Sequence, residues 1–330
     1  MQNIINEYLG AAKVGRKQSY KNLAIYPLLS TYSIALDYIL LDEALKEALI
    51  EVVEVDDAGD VPNLKVINKS ERMVLLLDGE ELVGAKQNRI VNTTILIPGH
   101  ATVLIPVSCV EQGRWHDDAP QFHSEERVMA PVMRAKKAGK VSLSLRENLG
   151  FQSDQGEIWD GIAQIAQRRD AVSPSMAMSE IYEKDRPSIQ EYVKHFRLID
   201  GQVGAVFMIN GKVVGLDALG KLESFSKIFK KLVESYTLDA IDWFESKKEH
   251  KALKSSVTKF LKASQKSSVE FHEGVGLGTD CRLESDKVTG FALAMDEQIL
   301  HLSVFAREDG QRGKGGNSRM ASFAQRRSRF

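Results

Sequence analysis

Residues Leu75 to Trp115 read LLLDGEELVGAKQNRIVNTTILIPGHATVLIPVSCVEQGRW. Short apolar segments alternate here with polar residues and with the turn dipeptides Asp78-Gly79 and Pro98-Gly99. Segments of this length and spacing predict a sheet of the sandwich or barrel type. Varied polar side chains stand beside segments that must be buried, and buried polar groups require hydrogen-bond partners. We therefore expect the functional site to lie in this stretch.

The segments around this stretch continue the β-rich pattern. The predicted strands are Tyr20–Leu29, Ile50–Val55, Leu64–Ile67, Met73–Leu77, Arg89–Ile97 and Thr102–Val107. Between the first two, apolar residues recur at helical spacing from Ile34 to Leu49, which predicts an amphipathic helix in part of this stretch. The polar segment from His116 to Pro131 is predicted to be a loop.

The second half of the chain alternates between helices and strands. Asn210-Gly211 joins two apolar alternations, Val203–Ile209 and Lys212–Leu216, and predicts a hairpin. Helices are predicted at Ile158–Arg169, at Pro187–Phe196 with Pro187 in first position, at Phe225–Val233, at Thr237–Glu245 and at Leu253–Leu261. A β meander follows from Ser268 to Phe305. The fold class predicted is α+β: a β-rich core, sandwich or barrel-like, with packed helices and a C-terminal β meander.

A chain of 330 residues suggests about two domains as a prior. We expect an N-terminal segment at 1–19 and an α+β domain at 20–306. The β-rich half of this domain covers about 20–150, and its half of helices and meander covers about 151–306. The tail at 307–330 has seven Lys or Arg against two acids and four glycines, which is typical of a disordered segment.

Composition excludes several classes of protein. A formal net charge of −1 argues against a surface that coats nucleic acid, so we expect only weak binding of nucleic acid through the basic tail. No apolar run reaches the roughly 18 residues of a membrane helix, and no secretory signal is visible. Two separate cysteines, Cys109 and Cys281, fit a reducing compartment. We expect a cytoplasmic protein without a membrane partner, and its oligomeric state stays open.

The block Lys86-Gln87-Asn88-Arg89 is the sharpest candidate for ligand binding. Cationic side chains favour phosphate, and amides offer both a donor and an acceptor to a sugar or a base. The alternative is a solvated turn whose amides cap backbone groups.

A second block, Cys109 to Trp115, follows a predicted strand. Cys109 and Glu111 are two positions apart and would share a face, with Glu111 as the acid-base or metal group and Cys109 as a nucleophile. A cysteine at a strand end is otherwise a small buried apolar group. Trp115 either stacks on a base or seals the edge of a core.

Two weaker patterns complete the candidates. His116, Asp117, Asp118 and His123 lie downstream of Glu111, so a divalent metal is possible, with a charged loop as the alternative. Gly274, Gly276 and Gly278 are weak evidence for a phosphate loop, with a bulged β turn as the default, and Arg282 just after them could reach an anionic ligand.

Together these motifs resemble the ARPP domain family, which is named for its association with ADP-ribosylglycohydrolases and rhodanese-phosphatases. The resemblance covers roughly residues 20 to 305. The matching pieces are Leu41-Asp42-Glu43-Ala44, Val61-Pro62-x-Leu64, Gly79-Glu80-Glu81-Leu82-x-Gly84-Ala85-Lys86-Gln87-Asn88-Arg89, Ile105 to Trp115, Gly276-x-Gly278-x-Asp280-x-Arg282 and His301-Leu302-Ser303-x-Phe305. It implies a role near NAD-derived metabolism, on ADP-ribose or a related nucleotide, and no defined mechanism.

The expected function is a cytosolic protein that binds and processes ADP-ribose or another NAD-derived nucleotide as its small-molecule partner. Whether it is an enzyme, such as a hydrolase or transferase, stays open. The candidate catalytic residues are Glu111 and Cys109, and the candidate ligand-binding residues are Lys86, Gln87, Asn88, Arg89, Asn92, Arg114, Trp115 and Arg282. The alternatives are a non-catalytic sensor module for the same ligands and an interaction protein whose polar cluster is structural.

Overall fold

The computed structural model describes residues 2–56, 59–115, 121–246 and 250–307. The helices of these residues are α1 (Gln2–Ala11), α2 (Leu41–Lys46), α3 (Pro131–Arg146), α4 (Gln155–Arg169), α5 (Met178–Val193), α6 (Leu222–Asp242) and α7 (Lys254–Gln265). The strands are β1 (Lys13–Val14), β2 (Gln18–Tyr20), β3 (Leu23–Leu29), β4 (Tyr38–Leu40), β5 (Ile50–Val53), β6 (Asn63–Asn68), β7 (Met73–Leu76), β8 (Glu80–Gly84), β9 (Arg89–Val91), β10 (Ile95–Ile97), β11 (Thr102–Cys109), β12 (Phe122–Val128), β13 (Gln202–Ile209), β14 (Lys212–Leu219), β15 (Ser268–Glu273), β16 (Thr279–Glu284), β17 (Val288–Met295) and β18 (Gln298–Ala306).

A nine-stranded antiparallel sheet, here called the large sheet, has the order β1-β3-β13-β14-β18-β17-β16-β15, with β2 also paired to β3. Both faces are covered, so β13 is buried at every position instead of alternating. Helix α6 packs on one face through Phe225, Ile228 and Leu232, and α1 and α7 pack on the other face. The predicted hairpin at Asn210-Gly211 and the C-terminal meander are both confirmed.

The β-rich half curls into a half-barrel. It consists of a six-stranded sheet, β12-β8-β9-β11-β6-β5, and a three-stranded sheet, β10-β7-β4. Successive side chains of the small sheet point to opposite faces. Leu75 therefore joins the core against the large sheet, whereas Leu76 joins the core inside the half-barrel. The predicted α+β class with a β-rich core is confirmed.

Part of residues 34–49 is helical, as predicted: α2 covers Leu41–Lys46, and β4 precedes it because Ile39 and Leu40 pair in the small sheet. Two other predicted elements are wrong in their bounds. Residues 121–131, within the predicted loop, include β12, an edge strand that tolerates many charges because one side is unpaired. The predicted strand Arg89–Ile97 is divided into β9 and β10, which belong to different sheets.

The helices also differ from expectation. Pro187 lies inside α5 rather than at its start, and buried residues on both sides of it, such as Ile181 and Ile189, hold the helix in place. The two helices predicted within 225–245 are one helix, α6, with a continuous buried face. Among the described residues, no helix is both long and apolar enough to cross a bilayer. The tail at 308–330 lies outside the described residues, so its predicted disorder stays a prediction.

Candidate functional site

The turn between β8 and β9 carries the block that the sequence singled out. Its backbone is unusual: Gly84 has φ +129° and Ala85, a non-glycine residue, has φ +41°. Arg114 holds this turn in place, since its guanidinium donates to the Ala85 carbonyl at 2.5 Å and to Asn88 Oδ1 at 3.0 Å. The block is therefore a braced and largely buried turn and not a solvated one, although Asn88 Oδ1 does accept from the Gly84 backbone N–H at 3.3 Å, as the capping alternative predicts.

Glu111 is the second half of the brace. Its carboxylate accepts hydrogen bonds from Arg114 Nη2 at 2.7 Å, from the Asn88 backbone at 3.1 Å and from Ser175 Oγ at 2.6 Å. Burial alone would raise the pKa of Glu111, but these hydrogen bonds outweigh burial and the pKa lies below its usual value. Glu111 is thus an ionised, fully engaged group whose visible role is to fix the turn.

Arg89 begins β9 and is fully buried inside the half-barrel. Its Nη1 donates to the carbonyl of Gln87 at 3.3 Å and to Gln87 Oε1 at 3.0 Å. Its Nε and Nη2 have no hydrogen-bond acceptor among the described residues, although Glu54 Oε1 lies 3.8 Å from Nη2. These two nitrogens form the side-on edge of the guanidinium, the edge that binds two oxygens of one phosphate or carboxylate.

Trp115 covers this guanidinium and remains 46% exposed. The centre of its ring lies 5.6 Å from Arg89 Cζ, in a cation–π contact. Lys86 and Trp115 both contact Gly59, where an added Cβ would lie 2.9 Å from Lys86 Cδ and 3.2 Å from Trp115 Cζ2. Glu54, Gly59, Lys86, Gln87, Arg89 and Trp115 together are called the turn site below.

Cys109 lies opposite Arg89 in the pairing of β11 with β9. Its side chain is buried, and burial raises the pKa of the thiol. Its backbone N–H and carbonyl are both hydrogen-bonded to the side chain of Gln155, each at 2.8 Å. A buried thiol of raised pKa is a poor nucleophile, so these features favour a packing role for Cys109.

Asn92 and Arg282 lie apart from the turn site. Asn92 donates to the Phe151 carbonyl at 3.1 Å and accepts from Ser108 Oγ at 2.7 Å. Arg282 is fully buried and pairs with Asp280, with Nε to Oδ1 at 2.5 Å. Arg282 also donates to Thr93 Oγ1 at 2.7 Å, so it belongs to a second polar cluster.

This second cluster, the interface network, joins the half-barrel to the large sheet. It comprises Asp78, Thr93, Thr94, Arg134, Lys137, Asp217, Asp280, Arg282, His301 and Ser303, all of which are buried. Arg134 lies between Asp217, at 2.8 Å, and Asp78, at 3.3 Å. Lys137 pairs with Asp78 and donates to the carbonyls of Val91 and Asn92, which uses all three of its protons. The network explains why the strand predicted at 89–97 is broken at 92–94.

Sequence reasoning missed most of the interface network. Usable signals were present: Asp280-x-Arg282 and His301-x-Ser303 each place two polar side chains on one face of a buried strand. Arg134 and Lys137 likewise share a face of α3 with Val141 and Ala138. A charged pair on an apolar helix face predicts buried counterions, because unpaired buried charges are very costly.

Glu81 is a further buried carboxyl near the turn site. It pairs with Ile90 across β8 and β9, one position from the pair of Leu82 and Arg89, so it points to the opposite face of the sheet. Its Oε1 has no hydrogen-bond partner in the described part of the chain, and burial raises its pKa to about 7. Arg127 Nη1, at 3.4 Å, is its neighbouring cation.

The predicted metal position is only partly visible. His116, Asp117 and Asp118 lie outside the described residues. His123 is exposed on β12 and contacts Glu125 at 3.2 Å. Within the described ranges, no three His, Cys, Asp or Glu side chains lie close enough together to hold a metal ion.

Comparison with known proteins gives one match. No curated protein and no solved structure matches the chain significantly. The family model ARPP-1, described as the ARG and Rhodanese-Phosphatase-superfamily-associated Protein domain, matches residues 11–305. This range spans the half-barrel, the large sheet and the helices between them. The chain therefore belongs to the ARPP-1 domain family.

Proposed function

We propose that this protein binds an anionic nucleotide derived from NAD, with ADP-ribose as the simplest such ligand. The observation that carries the proposal is the side-on edge of the buried Arg89 guanidinium, whose Nε and Nη2 have no hydrogen-bond acceptor among the described residues and only Glu54, at 3.8 Å, as an ion-pair partner. A buried donor without an acceptor costs about 1–3 kcal/mol, and more when it is charged, so a ligand that supplies two oxygens is strongly favoured. The NAD-derived class rests on the family, whose description names an association with ARG, the ADP-ribosylglycohydrolases.

Four residues of the turn site then have distinct roles. Arg89 holds one phosphate through Nε and Nη2, and Lys86 adds a second positive charge for a diphosphate. The exposed ring of Trp115 stacks on the base, as aromatic rings do on the bases of single-stranded nucleic acids. Glu54, near Arg89 Nη2, is the resident counter-charge that an incoming phosphate must displace.

Access to Arg89 requires a change at Trp115. The guanidinium has no exposed surface, and the indole ring is its partly exposed neighbour. The ring therefore moves aside as the phosphate enters, and in doing so it turns a face toward the base. A tryptophan that moves on binding gives the site its own fluorescence signal.

The geometry favours a binding or sensor module over an enzyme. Glu111 is engaged by three partners, and Cys109 is a buried thiol of raised pKa. Glu81, whose pKa of about 7 suits acid-base chemistry, points to the other face of the sheet.

Both described cysteines are free thiols, which supports a cytoplasmic location.

Titration calorimetry with ADP-ribose tests this proposal. We expect the wild type to bind, and Trp115→Leu to weaken binding by about tenfold, as loss of one base-stacking contact of roughly 1–3 kcal/mol does. Glu54→Gln should strengthen binding by about tenfold, because it removes a negative charge beside the phosphate and keeps the side-chain shape. Phe271→Leu, at a 38% exposed aromatic on β15, is the matched control and should bind like the wild type.

The proposal fails if the folded wild type binds neither ADP-ribose nor NAD. It also fails if Trp115→Leu and Phe271→Leu have the same affinity as the wild type, since the ligand then lies elsewhere. The Glu54→Gln variant distinguishes a binding role of Glu54 from a purely structural one. If this variant is less stable than the wild type and binds ADP-ribose no more tightly, Glu54 is a permanent structural partner of Arg89.

A further inference from the structure

Three aromatic rings surround the ammonium group of Lys21. Lys21 Nζ lies 5.2 Å from the centre of the Tyr20 ring, 5.3 Å from that of Tyr192 and 5.7 Å from that of Phe244. The rings come from three places in the chain: the end of β2, the last turn of α5 and the segment after α6. We call Tyr20, Tyr192 and Phe244 the aromatic cage.

Two walls of the cage are fixed by contacts that do not involve Lys21. The Tyr192 hydroxyl donates to Asn22 Oδ1 at 2.8 Å, and the same Asn22 donates to the Ala240 carbonyl at 2.8 Å. Tyr20 meets Tyr192 edge-on at 5.1 Å. Its ring also stacks on His195 at 3.7 Å with an interplanar angle of 9°. These two walls would therefore keep their positions if Lys21 left the cage.

Lys21 is a weakly held occupant. It lies in the turn between β2 and β3 with φ +48°, and its side chain is exposed. Across residues 2–56, 59–115, 121–246 and 250–307, its ammonium has no hydrogen bond to another residue and no ion pair within 4 Å. A primary ammonium is compact and strongly hydrated, so it loses much hydration energy on entering a cage of rings.

A quaternary ammonium suits the cage better. Its methyl groups spread the charge and contact the ring faces, and aromatic cages of this kind recognise choline and methylated lysine in general. A carboxylate adjoins one wall, because the Tyr20 hydroxyl donates to Glu191 Oε1 at 3.4 Å, and this carboxylate also pairs with Lys194. Phe244 is 45% exposed, so the third wall opens to solvent.

We propose that the aromatic cage is a binding site for a quaternary ammonium group, which takes the place of the Lys21 ammonium. The site is independent of the turn site, with which it shares no residue. Lys21 then acts as an internal competitor that sets the affinity for the external cation.

Titration with choline, followed by NMR of the folded protein, tests the cage. Lys21→Ala empties the cage without touching its walls, and we expect it to bind choline about tenfold more tightly than the wild type. Adding Phe244→Ala to Lys21→Ala should abolish this gain. The uncharged isostere 3,3-dimethyl-1-butanol has the same shape as choline and should bind much more weakly.

Two results would overturn the proposal: a folded Lys21→Ala protein that does not bind choline, or equal binding of choline and its uncharged isostere. A short peptide with one trimethyllysine is a second arm. Tighter binding of the peptide than of choline assigns the cage to a modified protein, and the reverse assigns it to a small molecule. Because the cage contains no residue of the turn site, failure here leaves the ADP-ribose proposal untouched.

Discussion

Arg89 shows how much depends on one side chain's unused hydrogen bonds. A buried guanidinium has five N–H donors, and among the described residues Gln87 is the only hydrogen-bond acceptor of Arg89, which it binds through Nη1. The sequence identifies Arg89 as a polar residue beside a strand, because cationic and amide residues cluster at 86–89. The sequence cannot show which edge of the guanidinium lacks an acceptor, because this depends on how closely the end of β5 brings Glu54 to Arg89. The distance between Glu54 Oε1 and Arg89 Nη2 is 3.8 Å.

Glu81 makes stability depend on pH. Burial raises its pKa to about 7 in the folded protein, above a normal value of 4.5. Its contribution to stability is therefore fully present below about pH 4.5 and is lost as pH rises through 7. The loss is on the order of 3 kcal/mol for a shift of this size.

Urea unfolding at pH 5 and pH 8 checks this prediction. Between pH 5 and pH 8, we expect the free energy of unfolding of Glu81→Gln to fall less than that of the wild type. At pH 8, Glu81→Gln should be the more stable of the two proteins. Glu47→Gln, at an exposed residue, should follow the wild type. Equal pH dependence of Glu81→Gln and the wild type would show that Glu81 is ionised throughout.

At the scale of elements, the β8–β9 turn is shaped by residues 23 or more positions away along the chain. Gly84 and Ala85 adopt positive φ, and Arg114 and Glu111 supply the hydrogen bonds that keep them there. A turn fixed in this way holds the turn site in position before a ligand arrives, which reduces the entropy lost on binding.

A double-mutant cycle measures the coupling energy between Arg114 and Glu111, the two side chains that hold the turn. Arg114→Ala should lower the free energy of unfolding by roughly 3–5 kcal/mol, because it leaves the Glu111 carboxylate buried without its cation. Adding Glu111→Ala should restore part of the loss, since the unpaired charge is then gone. Equilibrium denaturation of the four proteins gives the coupling energy. Additive effects would mean that the two side chains act separately.

Short apolar segments and turn dipeptides predicted most strands correctly, because β13, β14 and the meander are apolar runs joined by local turns. The failures occur where distant partners override local pattern. Residues 92–94 leave the strand because Lys137 and Asp280 bind them. Strand β12 has the charged composition of a loop, and only its pairing with β8 makes it a strand.

At the scale of the whole molecule, the interface network joins the two β systems. Asp78 comes from the half-barrel, Asp217 and Ser303 come from the large sheet, and Arg134 on α3 bridges them. The sequence shows the motifs around Arg282 and His301. It does not show that these residues belong to a buried network away from the turn site, because this depends on how the two sheets pack.

Arg134→Met tests how much the interface network contributes to the stability of the fold. It removes the cation between two buried carboxylates, so we expect a loss of roughly 3–5 kcal/mol in the free energy of unfolding. Arg146→Met on the same helix breaks a solvent-exposed pair with Glu270 and should cost no more than about 1 kcal/mol. Urea denaturation of both variants provides the comparison. Equal effects would show that the network adds no more than a surface ion pair.

The central claim is that the open edge of Arg89 is the phosphate site of an NAD-derived nucleotide. A crystal structure of the protein with ADP-ribose tests it most directly. We predict two oxygens of one phosphate within about 3 Å of Arg89 Nε and Nη2, with the Trp115 ring displaced and stacked on the base. ADP-ribose bound at any other place, with Arg89 still covered by Trp115, would contradict the account.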